Sequence, residues 1–156
     1  MTDPHDMPSP QSEVTLREIN ADTVRAICNL SVLKEQQQFV APNAVSIAQA
    51  HFSEYAWFRA IYADETPVGF LMLHDDTEKP EYYLWRFMID ARYQGMGFGR
   101  QALNLLIGHV RTRPNAAELF TSVHQAEGGP QGFYEGIGFE LTGEREEDEA
   151  VLRLSL

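Results

Sequence analysis

A glycine-rich segment between two apolar runs is the part of the sequence best suited to chemistry. It extends from Gln94 to Arg100, with glycine at positions 95, 97 and 99, and follows the run that ends near Asp90. Glycine lets the backbone approach a ligand closely, and the free N–H groups at a helix start bind anions such as pyrophosphate. The segment predicts an anion site, which Arg92 and Arg100 would supplement by charge. The alternative is a tight turn that only packs a helix against a strand.

Other chemistries have little support in the sequence. The glycine spacing lacks the third glycine of the dinucleotide-binding fingerprint, and no Gly-Lys-Ser/Thr follows it. A Gly-x-Ser-x-Gly turn, which would present a serine nucleophile, is missing as well. We expect no metal site, because Cys28 and the histidines lack metal-ligand spacing; the histidines are His5, His51, His74, His109 and His124.

Composition and charge narrow the class of protein and its partners. The 156 residues are 44% hydrophobic and 22% charged, which is typical of one globular domain. We expect a flexible tail over residues 1–12, which is rich in proline and polar residues, and a single domain over residues 13–156. The formal net charge of −11 argues against nucleic-acid and membrane binding and would attract cationic substrates. A lone Cys28 and the lack of a signal-peptide pattern favour a cytoplasmic protein.

The elements that position the glycine segment follow from the spacing of apolar residues. Asn20 and Asn43 are predicted to cap the first two helices, and Gly138 is predicted to end the last helix. An acidic turn over residues 144–149 would separate the two final strands, and the strand at 151–154 would form an exposed edge suited to a homodimer contact. The predicted strands cover residues 14–19, 57–63, 68–73, 81–90, 119–123, 139–143 and 151–154, and the third predicted helix covers residues 99–112. This order indicates an α/β fold around one mixed sheet.

A second glycine-rich stretch, at residues 128–139, makes the interpretation more specific. It places Phe133 and Tyr134 ahead of Gly138 and Phe139, about 40 residues after the first segment. Together the two stretches resemble the GNAT superfamily of N-acetyltransferases, whose Arg/Gln-x-x-Gly-x-Gly/Ala signature matches residues 94–99. The resemblance covers roughly residues 14–154. It implies a mixed, mostly antiparallel central sheet of about seven strands flanked by helices, with splayed central strands that hold acyl-coenzyme A.

The resemblance also implies roles for individual residues. A main-chain N–H near Met88 would face the thioester carbonyl as an oxyanion donor. Tyr134 would protonate the departing thiolate, since a phenol is close in acidity to an alkyl thiol. Phe87, Met88 and Ile89 would bind the pantetheine arm of acetyl-CoA, and its pyrophosphate would be held by Gln94, Gly95, Met96, Gly97, Phe98, Gly99 and Arg100.

The acceptor amine is less well defined by the sequence. Residues 82–95 resemble the corresponding strand and turn of spermidine/spermine acetyltransferases, which implies a polyamine-like substrate near Glu81, Tyr83 and Trp85. Trp85, however, occupies a position where those enzymes commonly have an acidic residue. A general base must accept a proton from the ammonium group, and Glu81, Glu127 and His124 are the candidates. Two other functions remain open: acetylation of a protein or peptide amine, and a non-catalytic acyl-CoA-binding module.

Overall fold

The computed structural model describes residues 7–156 as one seven-stranded sheet with helices on both faces, and the strand order is β1-β2-β3-β4-β5-β7-β6. The strands are β1 (Val14–Arg17), β2 (Ala56–Ala63), β3 (Thr66–Asp76), β4 (Glu81–Ile89), β5 (Glu118–Val123), β6 (Glu140–Glu146) and β7 (Glu149–Ser155). The helices are α1 (Val24–Cys28), α2 (Asn43–His51), α3 (Phe98–Arg111) and α4 (Gln131–Ile137). All neighbouring strands are antiparallel except β4 and β5. The predicted α/β fold is confirmed.

Two apolar clusters cover the two faces of the sheet. Helix α3 buries one side against the first face through Leu103, Leu106 and Val110, which are fully buried. Helices α1 and α2 cover the second face, where Ile27 packs with Phe70 and other apolar side chains. Strand β3 is therefore buried on both sides, which explains its uninterrupted apolar run. Within residues 7–156 no helix is both long and apolar enough to cross a bilayer.

Strands β4 and β5 diverge after a short contact. They pair in parallel only at Tyr83 with Phe120 and at Leu84 with Thr121. Strand β5 continues beside β7 over its whole length, whereas the second half of β4, residues 85–89, pairs only with β3. The backbone groups on the other edge of β4 consequently face a gap. These are the splayed central strands that the sequence predicts.

A β-bulge lies in β4 at the point of divergence. Met72 of β3 is opposite Arg86 and Leu73 is opposite Leu84, so Trp85 is an extra residue. A bulge breaks the alternation of side chains along a strand. Trp85 packs against the apolar cluster under α1 and α2, and Arg86 donates a hydrogen bond to Gln49 of α2. Two consecutive side chains thus lie on the same face.

The helix starts differ from the predicted caps. Helix α1 begins after Thr23, while Asn20 accepts hydrogen bonds from the N–H groups of Asp22 and Thr23 in the preceding turn. Asn43 is the first residue of α2 and does not cap it. Its buried side chain instead donates to the Ile27 carbonyl at 2.9 Å, which ties α2 to α1. Both predictions were wrong because an asparagine also bonds to nearby backbone outside a cap.

The C-terminal hairpin corrects two more predictions. Strands β6 and β7 extend to Glu146 and Glu149, so the turn between them contains only residues 147 and 148. Strand β7 lies between β5 and β6. Residues 151–154 therefore do not form a sheet edge, and β6 is the edge strand on this side of the sheet.

The predicted tail lies partly outside the described residues, which exclude 1–6. In the described part, the Ser9 N–H donates to the Ser12 side chain at 2.9 Å. Ser12 is buried, so this short turn contacts the domain. The boundary at residue 13 stays a prediction.

Candidate active site

One large cleft occupies the gap between β4 and β5. Its volume is about 1310 Å³. Its walls are the loop from residue 36 to 42, the second half of β4, the start of α3, the start of α4 and the β6–β7 hairpin. The glycine segment lies at one end and a group of glutamates at the other. The cleft therefore has two chemically distinct ends.

The glycine segment ends in the first turn of α3. Gly95 and Gly97 have φ values of 81° and 84°, in the left-handed region that favours glycine. Gly97 precedes the helix, and its carbonyl accepts the Gln101 N–H at 3.2 Å. The N–H groups before Gln101 have no carbonyl of the preceding turn to bind, and this turn lines the cleft. A Cβ at Gly95 would meet no atom within 4 Å, so the space in front of the turn is open. Such a turn fits a pyrophosphate.

Neighbouring side chains hold this turn in place. Gln94 donates to the Ile89 carbonyl at 2.9 Å and to Gln36 at 2.8 Å. Met96 packs its side chain against the core under α3. Arg100 lines the cleft, but Arg92 is not part of its lining and binds the buried Asp90 at 2.9 Å. Of the two arginines predicted to add charge, only Arg100 is positioned to do so.

The free edge of β4 presents backbone groups to the gap. The Asp90 N–H donates to Val68 of β3, and the Ile89 carbonyl accepts from the Gln94 side chain on the other edge. Backbone groups alternate between the two edges of a strand, so those of Phe87 and Ile89 face the gap. The Met88 carbonyl lies against Gly69 of β3, where a Cβ would clash with it. The N–H of Met88 itself is therefore directed to β3, and the N–H groups near it that face the gap are those of Phe87 and Ile89.

An aromatic cluster of Phe87, Phe133, Tyr134 and Phe139 borders the cleft. Phe87 and Phe133 stack with ring centroids 5.6 Å apart, and Tyr134 contacts Phe133 edge-on at 5.3 Å. A Cβ on Gly99 would come within 3.4 Å of both Phe87 and Phe133. The cluster therefore packs α4 against the start of α3.

Tyr134 keeps its proton in this environment. Only 6% of the residue is exposed. Burial raises the pKa of Tyr134 above its ordinary value, and the Thr121 hydroxyl offsets this only in part. That hydroxyl donates to the Leu84 carbonyl at 3.1 Å, where β4 and β5 separate. The phenol is thus neutral and borders the cleft, as a proton donor must be.

The other end of the cleft carries carboxylates from the β6–β7 hairpin. Glu146 accepts a hydrogen bond from the Tyr83 hydroxyl at 3.1 Å, and Glu149 accepts one from Ser122 at 2.7 Å. Burial, together with Glu146, raises the pKa of Tyr83 to about 12, although Ser122 opposes this. His124 lies 3.4 Å from Glu149 through Nε2. This acidic group was missed from the sequence, where residues 144–149 indicate only a solvated turn.

The structure brings together only some of the predicted acceptor-site residues. Tyr83, Trp85 and His124 line the cleft. Glu81 does not line it and lies beside His74 and Asp76 at the beginning of β4. Glu127 is exposed and is also absent from the lining. Among the three predicted bases, His124 alone is in position.

Comparison with known proteins agrees with this geometry. The model of the acetyltransferase (GNAT) family matches residues 17–139. Spermine/spermidine N(1)-acetyltransferase of Bacillus subtilis (strain 168) is 26% identical over 137 residues, which cover 84% of this chain and 90% of the relative. The ribosomal-protein-S18-alanine N-acetyltransferase of Escherichia coli is 19% identical, with a TM-score of 0.68 over 92% of this chain and 94% of that one. The PaiA N-acetyltransferase of Thermoplasma acidophilum, solved with coenzyme A, is 15% identical, with a TM-score of 0.65 over 92% and 99%.

The family match covers most of the chain and includes the glycine segment, the free edge of β4 and Tyr134. The solved structures share the fold of this chain. The resemblance predicted from the sequence is confirmed. The chain belongs to the acetyltransferase (GNAT) family and is an acetyl-CoA-dependent N-acetyltransferase.

Proposed function

We propose that this enzyme acetylates a primary amine of a small, cationic, polyamine-like substrate. The observation that carries the proposal is the group of hairpin carboxylates in the cleft lining, Glu146, Glu147 and Glu149, with the aromatic side chains of Tyr83 and Trp85 in the same lining. Carboxylates and aromatic faces both attract an ammonium group. The net charge of −11 supports a cationic substrate, as does the similarity to a spermine/spermidine acetyltransferase.

The remaining walls of the cleft suit acetyl-CoA, which supplies an activated acyl group as a thioester. The turn at Gly95 and Gly97 would hold the pyrophosphate through backbone N–H groups. The gap-facing backbone groups of Phe87 and the N–H of Ile89 would bond the pantetheine arm in the manner of a neighbouring strand. One of these N–H groups near Met88 would stabilise the charge that develops on the carbonyl oxygen.

Proton transfers complete the reaction. Tyr134 would donate its proton to the departing sulfur, because burial keeps the phenol neutral. The incoming ammonium must first lose a proton. His124 and Glu149 are positioned to accept it, directly or through water, and their contact at 3.4 Å would let the proton move on to solvent. The amine then attacks the thioester directly, so no enzyme nucleophile is needed. Its nitrogen loses a second proton as the amide forms, which balances the proton that Tyr134 gives to the sulfur.

The test is coenzyme A release, followed with a thiol reagent, over a panel of amines. The panel contains spermidine, spermine, short diamines and peptides with free N-termini. We expect diamines and polyamines to stimulate release more than peptides do. A preference for peptides would favour the alternative of protein N-acetylation. Tight coenzyme A binding with no stimulated release would favour a non-catalytic acyl-CoA-binding module.

A homodimer also stays a proposal, now at a different surface. Strand β6 is the edge strand on the C-terminal side of the sheet, and an unpaired edge can pair with a second copy. Its side chains are mostly exposed and rich in glutamate, which works against self-association near neutral pH. Sizing the protein in solution decides the question, since a monomer at high concentration would exclude the contact.

A further inference from the structure

Arg86 is a half-buried cation in the cleft and forms no salt bridge with any of residues 7–156. It lines the cleft, yet none of the ion pairs within residues 7–156 includes it. Its two Nη atoms donate to uncharged acceptors, the Gln49 side chain and the Trp85 carbonyl, each at 3.1 Å. Its Nε is buried and has no acceptor within the described residues. The guanidinium therefore has unused hydrogen-bonding capacity and no carboxylate in salt-bridge contact there.

The other arginines show that this is unusual for the chain. The remaining half-buried arginines of residues 7–156 each pair with a carboxylate: Arg17 with Glu65, Arg59 with Glu18 and Arg113 with Asp75. The arginines that lack such a pair elsewhere in this range, including Arg111, are exposed to solvent. Removing a charge from water without a partner costs free energy. Acidic residues outnumber basic ones by 23 to 12, so a missing partner for Arg86 is not explained by a shortage of carboxylates.

The position of Arg86 assigns it to the acceptor and not to coenzyme A. The bulge at Trp85 places Arg86 on the face covered by α1 and α2, next to Gln49. The pyrophosphate turn begins eight residues later, beyond the end of β4. On the other wall, Glu149 acts on Arg86 by its charge, and this raises the pKa of Arg86 against the larger, lowering effect of burial. A small molecule between these walls would meet carboxylates on one side and a guanidinium on the other.

We propose that the acceptor carries a carboxylate as well as its amines, and that Arg86 binds this carboxylate while Glu146 and Glu149 face an ammonium group. This inference rests on the proposed function and narrows its substrate class. A molecule with two ammonium groups and one carboxylate, such as a dibasic amino acid, keeps a net positive charge and satisfies both walls. An arginine fork matches the geometry of a carboxylate. Trp85 and Arg86 then take the place of the acidic residue common in polyamine acetyltransferases.

Matched pairs of amines test the carboxylate. Ornithine and putrescine differ only in this group, as do lysine and cadaverine. We expect a higher kcat/KM for the carboxylate-bearing member of each pair. In Arg86→Gln the ornithine-to-putrescine ratio of kcat/KM should fall by about tenfold or more, the usual effect of losing a charged hydrogen bond. Arg86→Lys, which keeps the charge but not the fork, should retain part of the ratio.

Arg111→Gln is the matched control, because it removes the same charge from an exposed position on α3. It should leave the ratio unchanged. The proposal is overturned if the wild-type enzyme uses putrescine as well as or better than ornithine, or if Arg86→Gln leaves the ratio unchanged. Thermal unfolding of each variant identifies any loss of fold. If Arg86→Gln does not fold, the ornithine-to-putrescine ratio of Arg86→Lys is compared with that of the wild-type enzyme.

Calorimetric binding of the same pairs, with coenzyme A present, needs no turnover. Tighter binding of ornithine than of putrescine, lost in the Arg86 variants, supports the proposal even if no amine in the panel is acetylated. Binding of ornithine without acetylation of any amine would overturn the proposed function but not the carboxylate inference. Equal binding of both compounds, or no binding of either, overturns the carboxylate inference.

Discussion

The hydroxyl of Tyr134 shows how much of the chemistry depends on the surroundings of a single residue. The sequence motif predicts this tyrosine as a proton donor, but its protonation state depends on burial within the aromatic cluster. The same holds for Glu149, whose type suggests an ordinary surface residue. Its hydrogen bond from Ser122 and its contact with His124 follow from the pairing of β5 with β7.

Tyr134→Phe should reduce kcat by about 10²-fold, because general acid catalysis of the departing thiolate is lost. Coenzyme A affinity should change little, since the ring and its packing are kept. Steady-state kinetics and calorimetry measure the two quantities. Tyr55→Phe is the control, because Tyr55 lies outside the cleft and bonds to Glu78. Unchanged turnover in Tyr134→Phe would remove the residue from the mechanism.

Glu149→Gln should lower kcat/KM for spermidine by about tenfold, since the variant loses the charge that attracts the ammonium and accepts its proton. The amide can still accept the hydrogen bond from Ser122, so the fold should be retained. Glu144→Gln removes a charge from an exposed position of the same hairpin. An equal effect of both substitutions would show that only net charge matters.

At the scale of elements, the cleft depends on how strands end and separate. Apolar spacing predicts most of the strands and α3, because buried faces leave a period in the sequence. The bulge at Trp85 could not be predicted, since it depends on which residue of β3 pairs with Leu84. The short β6–β7 turn was missed for a similar reason. Its glutamates resemble a loop, yet pairing extends both strands to residues 146 and 149.

Gly97→Ala should weaken coenzyme A binding by about tenfold and cost about 1–2 kcal/mol of stability. A side chain is strained at the left-handed φ of 84°, and relieving the strain would turn the N–H groups away from the pyrophosphate. Gly108→Ala is the control, because a Cβ there meets no atom within 4 Å. This helix-interior change should stabilise the protein by about 0.5–1 kcal/mol with coenzyme A affinity unaltered. Calorimetry measures the coenzyme A affinity of each variant, and denaturant unfolding measures its stability.

Asp90→Asn should destabilise the protein by about 1–3 kcal/mol at neutral pH. Asp90 is buried, and it accepts hydrogen bonds from the Ser31 N–H and from Arg92. Burial alone would raise the pKa of Asp90, but these bonds outweigh it and hold the pKa below its ordinary value.

The pH dependence of this difference identifies its cause. A depressed folded-state pKa stabilises the protein above the unfolded-state value of about 4, and this contribution is lost as the pH falls through the folded-state pKa. The stability of the wild-type protein should therefore approach that of Asp90→Asn below pH 4. Asp22→Asn, at an exposed position, should show no such convergence. A constant difference down to the lowest pH would point to packing instead of ionisation.

For the whole molecule, the sequence alone gives the size and the net charge, but it does not show where the charges lie in the fold. A net charge of −11 predicts that the protein attracts cations, without indicating to which part of its surface. Only the structure shows that glutamates of the β6–β7 hairpin line the same cleft as Arg86, and that Arg86 forms no salt bridge within residues 7–156. The lack of a salt bridge depends on the whole fold and has no signal in the sequence.

Salt should affect the two substrates in opposite directions. Raising NaCl from about 0.05 to 0.5 M shortens the range of electrostatic attraction, so kcat/KM for spermidine should fall several-fold. The KM for acetyl-CoA, an anion that the acidic protein repels, should stay level or decrease. Initial rates at each ionic strength measure both. A fall in kcat/KM for both spermidine and acetyl-CoA would indicate a general effect of salt on the enzyme.

The divergence of β4 and β5 divides the sequence as well as the sheet. Strands β1–β4 come from residues up to 89, strands β5–β7 from residue 118 onward, and the two groups share only two paired positions. A cofactor bound along the free edge of β4 would supply contacts that a strand supplies elsewhere. Ligand that binds only the folded state adds to stability in proportion to the logarithm of its concentration. Resistance of this enzyme to unfolding should thus follow the supply of acetyl-CoA.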